Sequence, residues 1–268
     1  MRNIDFIYMI NLDQRPEKFQ YCLNQLEPYG ITPYRFSAVN GWELPQHVIN
    51  ELGVQFKPWM KPLLGTSFFR EGGGIDEYML PGRSYFCHKM TRGAIGIVMS
   101  HLSILQDAYD AGFEIIWVME DDIQVIQNPH ILSSLIDQLD AAVGPDGWDV
   151  LFTDQDTKGQ DGKYVICRSH APRPNFTPTH PERFVQTPSD INQEFRQVFA
   201  RYGAYSMIVR RSGMRKILDF LKEYKVFLPY DMDYYLPEGI NLYSVRRDVV
   251  STKPDALSDN GQPNYRRP

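Results

Sequence analysis

Apolar positions in this chain fall into two alternating patterns: short unbroken runs, and stretches where they recur every three or four residues. Ile4–Ile10 (IDFIYMI), apolar but for Asp5, predicts a buried strand. From Pro16 the spacing changes. Phe19, Leu23 and Leu26 share one helical face, Pro16 suits a first turn, and Pro28 and Gly30 end the helix. Tyr34–Ala38 returns as a second strand, which makes a βαβ opening. Gln46 lies in a short predicted helix, Pro45–Leu52. Thr91–Gly112 reads as a long helix with Ile95, Met99, Leu102, Leu105 and Tyr109 along one side and Gly112 closing it. The run Ile115–Met119 is the next strand. A helix over Pro129–Val143, a strand Trp148–Asp154, a strand Gly203–Arg210, a helix capped by Ser212 and a last strand Asn241–Arg246 follow. Strands alternating with helices in this way predict one α/β domain, with a mostly parallel sheet flanked by helices.

Two stretches break the pattern. Residues 57–90 carry Pro58, Pro62 and Pro81, a Gly72-Gly73-Gly74 run and the aromatics Trp59, Phe68, Phe69, Tyr85 and Phe86. A segment so long and irregular is a functional lid or a disordered insertion, and its aromatics favour the lid. Residues 155–190 form a second long loop, with Tyr164–Cys167 a short strand inside it. The polar tail from Asp248 to Pro268 gives no fold reading. Within the long helix, Gly93 and Gly96 weaken the first turns, so something approaches the backbone closely there. A helix N-terminus also favours phosphate.

Composition narrows the function classes. The chain of 268 residues is 43% apolar and 23% charged, enough for a real core, and its 13% aromatic content suits the covering of ring-shaped ligands. Its net charge of -5 and the lack of a basic stripe exclude nucleic acid as a partner. No apolar run is long enough to cross a bilayer, and the first residues lack the pattern of a signal peptide. Cys22, Cys87 and Cys167 are odd in number and without metal spacing, which suits a reduced cytoplasmic protein.

The chemistry concentrates where the run Ile115–Met119 ends in Glu120, Asp121 and Asp122. In open α/β sheets ligands sit beyond the carboxyl ends of strands. Three adjacent carboxylates there are either a solvated acidic turn or are neutralised by a bound cation, and hard Mg²⁺ or Mn²⁺ takes such oxygen ligands. Glu120 and Asp122, two apart on an extended end, would face one side and Asp121 the other. Two further acidic pairs follow apolar runs: Asp154 with Asp156, and Asp231 with Asp233. No glycine-rich phosphate loop separates the first strand from its helix, so a nucleotide would be gripped by side chains such as Asn11 and Arg15, or by a metal.

The ordered set INLDQRPEKF, YRFSAVNG, GAIGIVMSHLSIL and MEDDI resembles glycosyltransferase family 25, which includes bacterial lipooligosaccharide galactosyltransferases and collagen galactosyltransferases. GAYSMIVRRSGMRKIL and the acid of PYDMDYYL extend the resemblance, which covers most of 1–126 and 200–240. It implies a GT-A type, Rossmann-like fold. In that division 1–126 is a nucleotide-sugar half, 127–247 an acceptor half and 248–268 a tail. It implies transfer of a hexose, usually galactose, from a UDP-sugar to a hydroxyl of a glycan or glycolipid such as lipopolysaccharide core, or of a glycoprotein. A divalent metal (Mn²⁺ or Mg²⁺) assists, and the anomeric carbon is inverted. An acceptor of that kind would bring the protein to the inner membrane surface as a peripheral visitor.

Residue by residue, the resemblance makes Glu120-Asp121-Asp122 a DxD-like motif, with Asp122 the direct metal ligand. Glu120 would sit on the sugar, the ribose or the metal, and Asp121 could equally be a solvated or capping acid. Asn11, Leu12 and Arg15 would cradle the uridine diphosphate, joined by Arg92 and Ser100 from the glycine-containing helix; Asn11 could instead be an ordinary turn former, Arg15 a surface cation and Arg92 a helix-start surface charge. His101 is a packing residue that fixes the acidic strand. Asp231 is the first choice for general base, with Asp233 and Asp154 behind it. Two competing readings remain: a non-catalytic sugar-nucleotide or glycan-binding protein, and a two-carboxylate glycoside hydrolase, which would need neither metal nor nucleotide pocket.

Overall fold

The central strand owes its position to the apolar run that forms it. In β6 (Ile115–Glu120), Ile116 and Val118 point into one core and Ile115, Trp117 and Met119 into the other. Both faces are therefore covered, and the run shows no polar alternation. The computed structural model describes residues 1–60, 65–67 (backbone only at 66 and 67), 80–159, 161–253 and 255–261. β6 lies between β1 (Phe6–Asn11) and β11 (Ser206–Arg210) in an eight-stranded sheet. The other strands are β2 (Tyr34–Ser37), β8 (Val150–Phe152), β9 (Ser189–Asp190), β10 (Phe195–Val198) and β12 (Leu242–Val245), in the order β2-β1-β6-β11-β8-β12-β10-β9. β10 and β11 run against the other six strands. The sheet is mixed, with most strands sharing one direction, and is compatible with a Rossmann-like GT-A fold.

Helices cover both faces. α3 (Arg92–Asp110) and α5 (Arg211–Tyr224) pack on one side, and α1 (Pro16–Leu26) and α4 (Ile131–Val143) on the other. Each large apolar side chain fully buried between these layers contributes about 1.5–3 kcal/mol. Trp117 and Trp148 are the largest of them. α3 opens as the sequence predicts, with the Thr91 hydroxyl accepting from Ala94 N–H at 3.0 Å. α5 does not: Arg210 is its cap residue, and Ser212 Oγ instead donates to Asp149 Oδ1 at 2.6 Å. The interior carboxylate Asp149 wins that hydroxyl from the helix end.

Three further differences come from short strands with distant partners. Within 57–90, the described residues carry a small sheet. β5 (Ser84–Cys87) pairs with both β3 (Val54–Gln55) and β4 (Gly65–Ser67), so this part is ordered, and the glycine run at 72–74 lies outside the described residues. α2 (Gln46–Leu52) packs beside it. In the second long stretch, Tyr164 forms only a bridge to Lys158 and no strand, while β9 and β10 add two antiparallel strands to the main sheet. The start of the tail is also folded: β13 (Val250–Thr252) pairs antiparallel with β7 (Ile123–Val125), just past the acidic turn. A four-residue helix, α6 (Tyr230–Asp233), completes the fold. Among the described residues no helix is long and apolar enough to cross a membrane, and all three cysteines are buried and unpaired.

Candidate functional site

β1 has β2 on one side and β6 on the other, reached by chain that first winds one way and later the other. Such a switch point opens a crevice at the strands' carboxyl ends. That crevice holds the acids. β6 ends at Glu120, opposite Ile10 of β1. Residues 121 and 122 turn before β7 begins, so the strand's alternation stops. Glu120, Asp121 and Asp122 all line the cleft as a result, and Asp121 does not face away.

Each acid has a different environment. Glu120 Oε1 lies 3.0 Å from His101 Nε2 of α3, and the buried His101 ring stacks on Tyr230 with centroids 4.1 Å apart. Asp121 Oδ2 accepts from Asn11 Nδ2 at 2.6 Å, and Lys18 Nζ stands 4.0 Å from its other oxygen. Asp122 Oδ1 is buried with no hydrogen-bond partner among the described residues. Burial first, and then the neighbouring charges of Glu120 and Asp121, push the Asp122 carboxyl up to about 7. At neutral pH this group needs a proton or a cation.

The opposite wall is built by close backbone approaches. A Cβ on Gly96 would come within 2.4 Å of Val39 O, and one on Gly41 within 1.7 Å of Arg92 O, so α3 presses directly on the 39–41 segment. Ser100 Oγ fastens this contact, accepting from Val39 N and donating to Gly96 O, each at 2.8 Å. Gly93 serves a different neighbour: a Cβ there would lie 2.4 Å from Asn260 O of the tail. The two helix glycines thus answer to two separate chain segments.

Residues 257–260 form a strap over the cleft. The Asp259 carboxylate accepts two bonds from Arg15 Nη1, at 2.6 and 2.7 Å, and one from Lys18 Nζ at 3.1 Å. Lys18 also donates to Leu257 O, Trp42 Nε1 to Asp259 O, and Thr91 Oγ1 to Asn260 O. With the strap seated, the cleft encloses only about 90 Å³. Ser258 and Asn260 also wall a second cavity of about 150 Å³, whose far side carries Tyr230 and Asp231 and which shares Glu120 with the first. Asp231 Oδ2 accepts from Gly203 N–H at 3.1 Å. Its carboxyl is raised by burial and by the Glu120 charge, against the Gly203 hydrogen bond.

The residues singled out from the sequence separate into two groups. Leu12, Glu120, Asp121 and Asp122 line the cleft, and Asp231 lines the adjoining cavity. Asn11 lines the cleft too, but its side chain is committed inward: Nδ2 donates to Asp121 and to Arg15 O, and Oδ1 accepts from Arg35. Arg15 reaches the strap. Arg92 turns away to Leu44 O and Gln46, and Ser100 holds a wall together. Asp233 is buried in an ion pair with Arg173, which also donates to Tyr224 O and Lys225 O. Asp154 is buried among Arg201, Tyr205 and Ser251. Neither of these two acids lines the cleft or the adjoining cavity.

Among the residues at the cleft that the sequence does not single out are Lys18, Trp42 and Asp259. Lys18 lies in the first turn of α1, inside INLDQRPEKF, and Trp42 directly follows YRFSAVNG. Asp259 had no such signal, because its partner Arg15 is 244 residues away.

A hard cation would find its best oxygen at Asp122 Oδ1, with Glu120 beside it. Among the described residues no group of three or more His, Cys, Asp and Glu is arranged to hold a metal by itself. A Mg²⁺-type ion bound by one or two carboxylates, with phosphate oxygens completing its shell, fits this donor set.

Comparison with known proteins agrees with the sequence motifs. A family model described as "Glycosyltransferase family 25 (LPS biosynthesis protein)" matches residues 4–235. A protein of Aedes aegypti named "Glycosyltransferase 25 family member" is 30% identical over 166 residues, 61% of this chain and 23% of that protein. A human protein named "Inactive glycosyltransferase 25 family member 3" is 29% identical over 124 residues, 46% of this chain and 17% of that one. The matches span about a quarter or less of these relatives' length. A solved structure titled "Crystal Structure of A197 from STIV" aligns over 90% of this chain and 81% of that chain at 10% identity, with a TM-score of 0.39, too slight a likeness to bear on the argument.

Proposed function

The chain belongs to glycosyltransferase family 25, and from that premise we propose that it moves a hexose, galactose first, from a UDP-sugar to a hydroxyl of a glycan or glycolipid acceptor, with a divalent metal and with inversion. The observation that carries this reading is the buried, unpartnered Asp122 Oδ1 on a carboxyl pushed up to about 7 at the switch point of the sheet. When bound there, Mn²⁺ or Mg²⁺ would supply Lewis-acid neutralisation of the departing diphosphate.

The chain's own residues do the rest. Asp122 and Glu120 present oxygens to the cation side, and Asn11 and Lys18 hold Asp121 beside them. Arg15 and Lys18 form a cationic seat that now holds the Asp259 carboxylate. A diphosphate is the stronger anion for that seat. Ligand pockets usually measure about 300–1,000 Å³, so a nucleotide-sugar needs the strap to move aside. Asp231 takes the acceptor proton: among the described residues it is the candidate acid left without an internal arginine, and a carboxyl raised above its ordinary value is the better base. A glycolipid acceptor such as lipopolysaccharide core would bring the protein to a membrane surface, which accords with the family model's description.

One observation favours a second reading, a non-catalytic sugar-nucleotide or glycan binder: the human relative carries the word inactive in its name. A screen of UDP-hexoses against glycan acceptors, read as UDP release with and without Mn²⁺, separates the two. Metal-dependent release that requires acceptor is the expected result. Donor binding without release on any acceptor would favour the binder, and no UDP binding at all would contradict the transferase and leave only a glycan binder.

A further inference from the structure

Three residues just ahead of β11 touch both halves of the site. Tyr205 O accepts from Glu120 N–H at 2.8 Å, and Gly203 N–H donates to Asp231 Oδ2 at 3.1 Å. Gly203, Ala204 and Tyr205 therefore stand between the acid on the cation side and the acid on the acceptor side, and all three line the cavity that both acids wall. The segment is held from behind. Tyr205 Oη donates to Asp154 Oδ2 at 2.6 Å and accepts from Arg201 Nη2 at 2.9 Å, and Arg201 is itself paired with Asp154. Thr157 Oγ1 donates to Tyr202 O, and Tyr234 Oη, at the end of α6, donates to Arg201 O at 3.1 Å. Gly203 turns at φ +75°, in the left-handed region, and a Cβ there would lie 2.7 Å from the Tyr205 ring. The ring leaves no room for a side chain at the residue whose N–H meets Asp231.

We propose that Tyr205 is a positioning residue for the transfer: anchored on Asp154, it sets the place of Asp231 relative to Glu120 through the 203–205 backbone. The inference rests on the reading of Asp231 as the base. A base works only within hydrogen-bond reach of the proton it takes, so its place relative to the bound donor decides the rate. Asp231 sits on a helix of four residues, too short to be rigid by itself, and the Gly203 N–H fixes its carboxylate from outside that helix. Asp154 does not need the Tyr205 hydroxyl for its own neutralisation, because it keeps Arg201 and accepts from Ser251 Oγ at 2.8 Å. What the hydroxyl adds is a fixed ring, and with it a fixed peptide at Gly203. Asp154, held by Arg201 and therefore a poor base, serves the reaction from behind.

Steady-state kinetics of Tyr205→Phe and Gly203→Ala test this, with Mn²⁺ and the donor and acceptor that give the fastest release in the screen of UDP-hexoses and glycans, beside a UDP titration of each variant. Both variants should lose about 10- to 100-fold in kcat, with the KM of donor and acceptor and the UDP affinity unchanged. A normal kcat in either variant would overturn the inference, as would UDP affinity that falls in step with kcat. Loss of the fold in Tyr205→Phe, read by circular dichroism, would also overturn it, since Asp154 would then depend on the phenol. Asp231→Asn keeps the failures apart. Full activity there removes Asp231 as base and this inference with it, whereas an inactive Asp231→Asn beside a normal Tyr205→Phe overturns this inference alone. A wild type that transfers to no acceptor would sink the transferase reading itself, and this inference with it.

Discussion

Two strands of the sheet, β6 and β8, end in acids on the same edge, and the structure treats them in opposite ways. After β8, Asp154 pairs with Arg201 and Asp156 with Arg196, inside a network that also takes in Tyr205 and Ser251. After β6, among the described residues, no arginine meets Glu120, Asp121 or Asp122, Lys18 reaches only Asp121, at 4.0 Å, and Asp122 Oδ1 is left without any partner. The sequence signature is the same at both ends, an apolar strand followed by carboxylates. The neutralising charge makes the difference. Where the protein supplies it from within, the acids hold the fold together. Where it does not, the charge has to come from a proton or a ligand, and the strand end is a candidate site.

This contrast can be broken in several places. The largest effect belongs to the structural end. Arg201→Met leaves Asp154 buried without its cation and should cost about 3–5 kcal/mol, read by urea unfolding. Normal stability in that variant would mean the β8 acids do not depend on internal pairing. Next comes the open end: Asp122→Asn should lower transfer by roughly 100-fold while the fold persists. Full activity there would move the cation site elsewhere.

The pH dependence is smaller and sharper. The Asp122 carboxyl is raised from its ordinary 3.8 to about 7 in the folded protein. Its protonated form is therefore favoured by folding, so its contribution to stability is complete below about pH 4 and is lost as pH rises through 7. Without metal, the melting temperature of Asp122→Asn relative to wild type should climb by a few °C between pH 5 and 8. A flat difference would show that Asp122 is already neutralised from within. The smallest effect concerns the strap. If Asp259 competes for the seat formed by Arg15 and Lys18, Asp259→Asn should tighten UDP binding severalfold in a titration. Weaker binding would instead make Asp259 part of the donor site.

How much of this could be read in the sequence followed the distance over which each feature is made. β1, α1, β2, α3 and β6 are local patterns of apolar spacing, and they stand where the sequence puts them. The acids at the end of β6 were equally visible, because an apolar run ending in charge is a local event. Pairings across the chain were not: β13 joins β7 across more than 120 residues, and strands as short as β3 and β9 carry too few residues for a period. Asp259 shows the limit most plainly, since nothing around it marks a residue that closes on Arg15. The fates of Asp154 and Asp233 were hidden for the same reason. Each is decided by an arginine, Arg201 or Arg173, far along the chain in a stretch without periodicity.

The most direct measurement is the heat of UDP binding with and without Mn²⁺, on the wild type and on Asp122→Asn. Binding should need the metal in the wild type and be lost or nearly lost in the variant. Equal binding with and without metal, or binding that Asp122→Asn leaves untouched, would contradict the claim that the open acids of β6 hold the donor's diphosphate through a cation.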